Sequence, residues 1–176
     1  MQAKQVKSSL AEYRDIKALM KRAFPENEQS PFWMLRMLAL RKTVDFLAWY
    51  KDGQFCGISY TAADQNGIFV LYLAVNDAIR SKGFGSKILS ALEERRNGRN
   101  ILLNVEMPDE KAANALQRKK RLEFYERNGY HKTNAWIIDG GAQYLILSLM
   151  EQYDLEDYQN LLQRFSFGFY RPDIRM

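Results

Sequence analysis

Gly83 and Gly85 stand in the stretch Asn76-Asp77-Ala78-Ile79-Arg80-Ser81-Lys82-Gly83-Phe84-Gly85-Ser86-Lys87, just after an apolar run ending Leu73-Ala74-Val75. Glycines at a helix start let phosphate oxygens approach the free N–H groups of the first turn, where the helix dipole also favours negative charge. Arg80, Lys82 and Lys87 add positive charge around the same turn. A purely structural reading competes, in which the two glycines only make a tight strand-to-helix turn, and glycine spacing alone does not choose between them. Two phosphate motifs are excluded: Ile88 occupies the third glycine position of Gly-x-Gly-x-x-Gly, and no Gly-Lys-Ser/Thr closes the loop.

His131 is the only histidine and Cys56 the only cysteine. An intramolecular disulfide, a Cys/His zinc cluster and a triad with a spare histidine are therefore not available, and no metal is expected. Cys56, beside Gly57 in an apolar run, reads as a small buried hydrophobe, and His131 as a surface or sheet residue.

The elements that must position the glycine turn are legible in the hydrophobic pattern. Leu10, Tyr13, Ile16, Leu19, Met20 and Ala23 recur at helical spacing within 8–23, stopped by Pro25. Ser30-Pro31 supplies a cap and first-turn proline for a second helix whose Phe32, Leu35, Met37, Leu38 and Leu40 are apolar over much of its girth. Strands follow at 44–50, 55–62 and 68–75, joined by Asp52-Gly53 and Asp64-Gln65-Asn66-Gly67 and expected to form an antiparallel meander. A helix starts at the glycine turn and closes near Arg95, Arg96 and Gly98, and a strand covers 101–106. Pro108-Asp109 opens a helix running to Asn128-Gly129, strands at 130–138 and 142–150 flank Asp139-Gly140-Gly141, and a last helix spans 153–165. With one strand ahead of the first helix, the expectation is an α/β protein with a mixed sheet of about seven strands and helices on both faces. The strand-helix-strand segment through Gly83 is expected to be parallel and right-handed.

The chain has 176 residues, within reach of one domain over 1–176, and 47% hydrophobic content excludes a disordered chain. Its formal charge of +5 suits an anionic ligand without approaching a polybasic tail. Residues 1–24 carry charges throughout, and no apolar run approaches the ~20 residues of a membrane span. A reducing, cytoplasmic setting without membrane contact is expected, and a homodimer is left open.

Arg80-Ser81-Lys82-Gly83-Phe84-Gly85, after a strand ending Leu-Ala-Val, resembles the Arg/Gln-x-x-Gly-x-Gly/Ala signature of the GNAT (general N-acetyltransferase) superfamily. Phe124-Tyr125-Glu126-Arg127-Asn128-Gly129-Tyr130 is similar to the family's Leu-Tyr-x-x-x-Gly-Phe helix end, and the element order matches the family's fold. The resemblance implies a GNAT-like acyl-CoA N-acyltransferase fold and acetyl-CoA as cosubstrate, its pyrophosphate cradled by Arg80, Ser81, Lys82, Gly83, Phe84, Gly85 and Ser86. It implies transfer of the acetyl group to a primary amine of a small molecule or peptide by direct attack. The strand end Leu73, Ala74 and Val75 would supply coenzyme contacts, with an oxyanion donor among the N–H groups of Ala74 to Asn76. Tyr125 matches the tyrosine that protonates the leaving thiolate.

The common glutamate of the fourth strand is missing, so Glu106, ending the fifth, is the best substitute for the general base. Glu26 and Glu28, in the loop that lies over the acceptor site in such folds, could attract a cationic amine, with Phe32 and Trp33 as an apolar wall and Tyr144 as a further acceptor contact. Each has a plainer reading: a solvated loop for the glutamates, and core packing for Phe32, Trp33 and Tyr125. Where the family often has Asn and Ala, seven and four residues before the tyrosine, this chain has Arg118 and Arg121. The run Arg118-Lys119-Lys120-Arg121 reads as a solvated helix face or as a contact to the 3′-phosphate of CoA. The alternative function is a non-catalytic acyl-CoA sensor or a basic nucleic-acid-associated module; nucleic acid is the weaker option, because aromatic residues are not interleaved with the run.

Overall fold

Turn and periodicity signals place most elements within two or three residues of their observed positions. The computed structural model describes every residue except Arg80, Ser81 and Phe169, together with the side chain of Asn27. The chain divides into two units, 1–62 with 70–97, and 63–69 with 98–176.

The first unit contains β1 (Gln2–Gln5), α1 (Tyr13–Ala23), a 3-10 turn at Glu26–Glu28, α2 (Phe32–Leu38), β2 (Val44–Lys51), β3 (Gln54–Ala63), most of β4 (Gly67–Val75), a 3-10 turn at Asp77–Ile79 and α3 (Phe84–Arg95). Strand order is β1-β2-β3-β4, with β1/β2 and β2/β3 antiparallel. Asp52 and Gly53 both take positive φ (51° and 77°), the backbone of a two-residue hairpin whose twist matches its strands. β2 and β3 are buried along nearly their whole length, so both faces of this sheet are covered. Edge-to-face contacts run from Tyr13 to Phe32, Phe46, Tyr60, Tyr72 and Phe24, tying α1 and α2 onto three strands.

Two expectations are corrected here. The first helix begins at Tyr13 rather than residue 8: after Val6 donates to the Phe46 carbonyl, the chain makes two i→i+3 turns, Leu10 to Lys7 and Tyr13 to Leu10, before it enters the helix. Ser30 does not cap α2. Pro31 holds the cap position, and Ser30 meets Tyr72 instead: its N–H donates to Tyr72 Oη (3.0 Å) and its Oγ accepts from it (3.4 Å), while Tyr72 Oη also donates to the Glu28 carbonyl (2.7 Å) and thereby pins the acidic turn to β4.

The second unit contains β5 (Asn100–Glu106), α4 (Ala115–Arg127), β6 (His131–Asp139), β7 (Ala142–Ser148), α5 (Leu155–Phe165) and β8 (Asp173–Arg175), in strand order β5-β7-β6-β8, all antiparallel. The fold is mixed α/β with eight described strands, one more than expected. The extra one, β8, pairs with Trp136–Ile138 and is too short and too charged for its sequence to show a period of two. α4 starts at Ala115 rather than near Pro108, because Asp109 Oδ1 accepts the Lys111 N–H (2.9 Å) and forms a local turn instead. α5 begins where Asp154 caps it, accepting from the N–H groups of Glu156 and Asp157. No helix among the described residues is long and apolar enough to cross a membrane.

Candidate functional site

β4 ends in a clasp. The Asn76 N–H donates to the Cys56 carbonyl (2.8 Å), its side-chain amide donates to the Phe55 carbonyl (3.0 Å), and its Oδ1 accepts the Ala78 N–H (3.2 Å). The same residue thus ties the strand end to β3 and starts the turn that leads to the glycines. Successive N–H groups of a strand alternate between its edges, so with Asn76 donating to β3, Ala74 faces β3 as well and Val75 faces the opposite edge. Of the three N–H groups from Ala74 to Asn76, that of Val75 is thereby the one that faces away from β3. Ala74 is buried and Leu73 half-buried.

Gly83 takes the left-handed backbone conformation (φ 72°, ψ 12°), and α3 starts at the next residue. The first helical bond in the turn is Lys87 N–H to the Gly83 carbonyl (3.2 Å), which leaves the N–H groups of Phe84, Gly85 and Ser86 ahead of the intrahelical ladder. No side chain among the described residues caps them, and a Cβ built on Gly83 would meet nothing within 4 Å. Lys82 and Lys87 are exposed beside this fan of donors, with Lys87 Nζ 5.0 Å from the centre of the Phe84 ring. An anionic phosphate fits here on three counts: aligned donors, the positive end of a twelve-residue helix, and open approach at Gly83. The expected contacts Arg80 and Ser81 lie outside the described residues.

In the second unit Glu106 is 7% exposed at the end of β5, and α4 supplies its partners. Arg121 Nη1 donates to Oε2 (2.8 Å), and Oε1 receives Arg118 Nη2 (3.2 Å) and the Asn114 amide (3.1 Å). Arg118 also donates through Nε to Asn114 Oδ1 (2.8 Å) and through Nη1 to the Met107 carbonyl (3.1 Å), which stitches the 107–114 segment to the helix. Arg118 and Arg121 are therefore not part of a solvated face, whereas Lys119 and Lys120 are exposed. Tyr144 on β7 lies directly opposite Glu106, on the same face of the sheet.

Tyr125 lies one helical turn after Arg121, 9% exposed, with its ring edge-to-face against Phe124 and Tyr130. Burial pushes its phenol up to about 12, with Arg121 opposing this to a lesser degree. Its folded value lies above the ordinary 10.0, so the stability this difference confers is complete below pH 10 and is lost as pH rises towards about 12. The hydroxyl therefore keeps its proton throughout the neutral range.

The acidic turn is well held, through Tyr72 and through Gln29, whose amide donates to the carbonyls of Lys21 (3.1 Å) and Phe24 (2.7 Å). Glu26 is exposed and Glu28 half-buried. Phe32 belongs to the aromatic core, whereas Trp33 is 68% exposed, an unusual position for a large apolar ring and one from which it can meet a ligand. Sequence reasoning missed the side-chain bonds of Asn76, the part played by Asn114 and the close contact at Gly57. A glycine inside a buried strand was the available signal for the last of these.

A profile of the family described as acetyltransferase (GNAT) domain matches residues 42–132, just over half of the chain and running through both units. The chain belongs to the GNAT acetyltransferase family. No curated protein sequence matches it. Among solved structures, this GNAT acetyltransferase is similar to a protein from Bacteroides thetaiotaomicron described as a GNAT-family acetyltransferase, with TM-score 0.77, 22% identity and coverage of 97% of this chain and 100% of that one. An aminoglycoside 6′-N-acetyltransferase complexed with coenzyme A matches with TM-score 0.66 and 15% identity over 88% of this chain and all of the other. A GNAT family acetyltransferase from Elizabethkingia anophelis with acetyl-CoA bound matches with TM-score 0.58 and 10% identity, covering 84% and 96% of the two chains. At these identities the likeness concerns the fold, which is the one the glycine turn and element order implied for this acetyltransferase.

Proposed function

We propose that the chain, acting as one domain over 1–176, transfers the acetyl group of acetyl-CoA to a primary amine of a small molecule or peptide by direct attack, in the cytoplasm. The observation that carries this reading is the start of α3 behind left-handed Gly83, uncapped among the described residues and flanked by exposed lysines. Phe84, Gly85 and Ser86 offer their N–H groups to the pyrophosphate, with Lys82 and Lys87 as mobile counter-charges. Acetyl-CoA supplies the activated thioester carbonyl. The Val75 N–H serves as donor to the negative charge that develops on that oxygen.

Tyr125 Oη, protonated at neutral pH, gives its proton to the leaving sulfur. Glu26 and Glu28 attract the cationic acceptor and Trp33 covers its apolar part, with Tyr144 as a further contact. For Glu106 the geometry favours an anchoring role, because both oxygens already accept from α4 and the residue before it, and the acceptor's proton then leaves through water. The nucleic-acid alternative loses ground for the same reason, since two of the four cations in the run 118–121 are engaged with Glu106.

The test is a melting series with acetyl-CoA followed by a thiol-release screen against polyamines, aminoglycosides, amino acids and N-terminal peptides. Acetyl-CoA is expected to raise the melting temperature and at least one amine to release CoA. A flat melting temperature up to millimolar acetyl-CoA removes the assignment, and stabilisation without turnover against any amine points to a sensor. Tyr125→Phe keeps the ring packing and deletes one hydroxyl. Coenzyme binding should stay near wild type while the chemical step slows by about 10²-fold; equal single-turnover rates would return Tyr125 to a packing role.

A further inference from the structure

Gly57 lies in the middle of β3, paired with Trp49 of β2, and its backbone comes unusually close to the end of β4. A Cβ built on it would collide with the Ala74 carbonyl oxygen and fall 3.1 Å from both Val75 Cα and Ile88 Cδ1. Two of these atoms are backbone, so no rotamer change relieves the conflict. φ at this residue is not positive, and the requirement is therefore for space rather than for a special conformation. One residue further along β4, Asn76 clasps the same strand end through the carbonyls of Cys56 and Phe55, the residues immediately before Gly57. Close approach at Gly57 and the two bonds of Asn76 together hold β4 against β3 on one edge, which sets the direction of the Val75 N–H on the other.

We propose that Gly57 and Asn76 are positioning residues, which hold the end of β4 so that the Val75 N–H points at the thioester carbonyl. This rests on the acetyl-transfer reading above. Neither residue touches the acetyl group; both act through the backbone of 74–76. A Cβ at position 57 displaces the Ala74 peptide, and removal of the Asn76 amide frees the strand end from Phe55. Either change misdirects the donor, whereas the fan of N–H groups at α3 is set by left-handed Gly83, seven residues beyond Asn76, and Ile88 meets a new Cβ only with the end of its side chain, so binding and carbonyl polarisation should separate even though Asn76→Ala also gives up the bond to the Ala78 N–H.

The experiment uses Gly57→Ala and Asn76→Ala in the full chain, with CoA-induced melting shifts as the binding readout. Isotope-edited infrared spectra of bound acetyl-CoA labelled with carbon-13 at the thioester carbonyl report polarisation without requiring an acceptor. In wild type the carbonyl band should lie below its position in water. In both variants this downshift should be lost with the CoA melting shift retained, and with an identified amine kcat should fall by about 10²-fold at nearly constant KM. If Gly57→Ala fails to fold, the half-buried Asn76→Ala decides alone. A variant band superimposable on wild type, or a wild-type band with no downshift despite binding, overturns the positioning role and leaves the acetyl-CoA assignment standing. Absence of any CoA or acetyl-CoA melting shift in wild type overturns both.

Discussion

Gly83→Val is expected to remove the stabilisation by acetyl-CoA altogether. A ligand that binds only the folded chain at hundredfold excess over its Kd adds about 2.7 kcal/mol, which for a protein of this length raises the melting temperature by about 5–10 °C. Valine at this position has two consequences. Its left-handed backbone costs roughly 1–2 kcal/mol, and more for a β-branched side chain, so the turn relaxes and the N–H groups of Phe84, Gly85 and Ser86 no longer converge. Its methyl groups also occupy the approach that is open in the native chain, where no described atom lies within 4 Å of a Cβ. That same openness means the variant has no clash to unfold it, so loss of the ligand effect should appear in a protein with a normal cooperative transition. A variant stabilised as strongly as wild type would show that the glycine serves the turn alone and that phosphate binds elsewhere.

Arg121→Ala should destabilise the chain by about 2 kcal/mol, the scale for a hydrogen bond to a charged group. Glu106 is 7% exposed, and removing its 2.8 Å partner leaves a buried carboxylate with Arg118 and Asn114 only. Glu106→Gln in the same background should recover part of the loss, because the uncompensated charge disappears, and the double-mutant cycle measures the coupling directly. Additive effects would show that the pair contributes nothing beyond its separate members. The same substitution alone addresses chemistry. If Glu106 anchors the 107–114 segment, the pH profile of kcat/KM for Glu106→Gln runs parallel to wild type at a lower level. Recovery towards the amine's own pKa would instead assign the acceptor's proton to Glu106.

What could be read from sequence and what could not separate along a physical line. Helix stripes, hairpin turns and the glycine-bearing start of α3 depend on residues within a few positions of one another, and there the pattern of residue types placed α3 and β2 to β7 close to where they lie. Expectations failed locally where a polar side chain had two partners to choose from: Ser30 Oγ accepts from Tyr72 Oη, forty-two residues away, and Asp109 bonds its own turn. β8, three residues long, had too few positions to show a period.

The roles of the charged residues were decided only by tertiary structure. Arg118, Lys119, Lys120 and Arg121 are four neighbouring cations in the sequence, and their composition cannot say that the helix turns the first and last inwards to Glu106 and the middle two to solvent. Helical geometry puts residues three apart on one face, but the buried carboxylate that makes that face matter arrives from another element. Gly57 is the same case in backbone form. Its sequence context shows a small residue in a strand, and only the packing of β3 against the end of β4 reveals that a single methyl group there would strike the Ala74 carbonyl. Local propensity depends on neighbours along the chain, whereas charge pairing and close backbone approach depend on neighbours in space, which the fold has to bring together first.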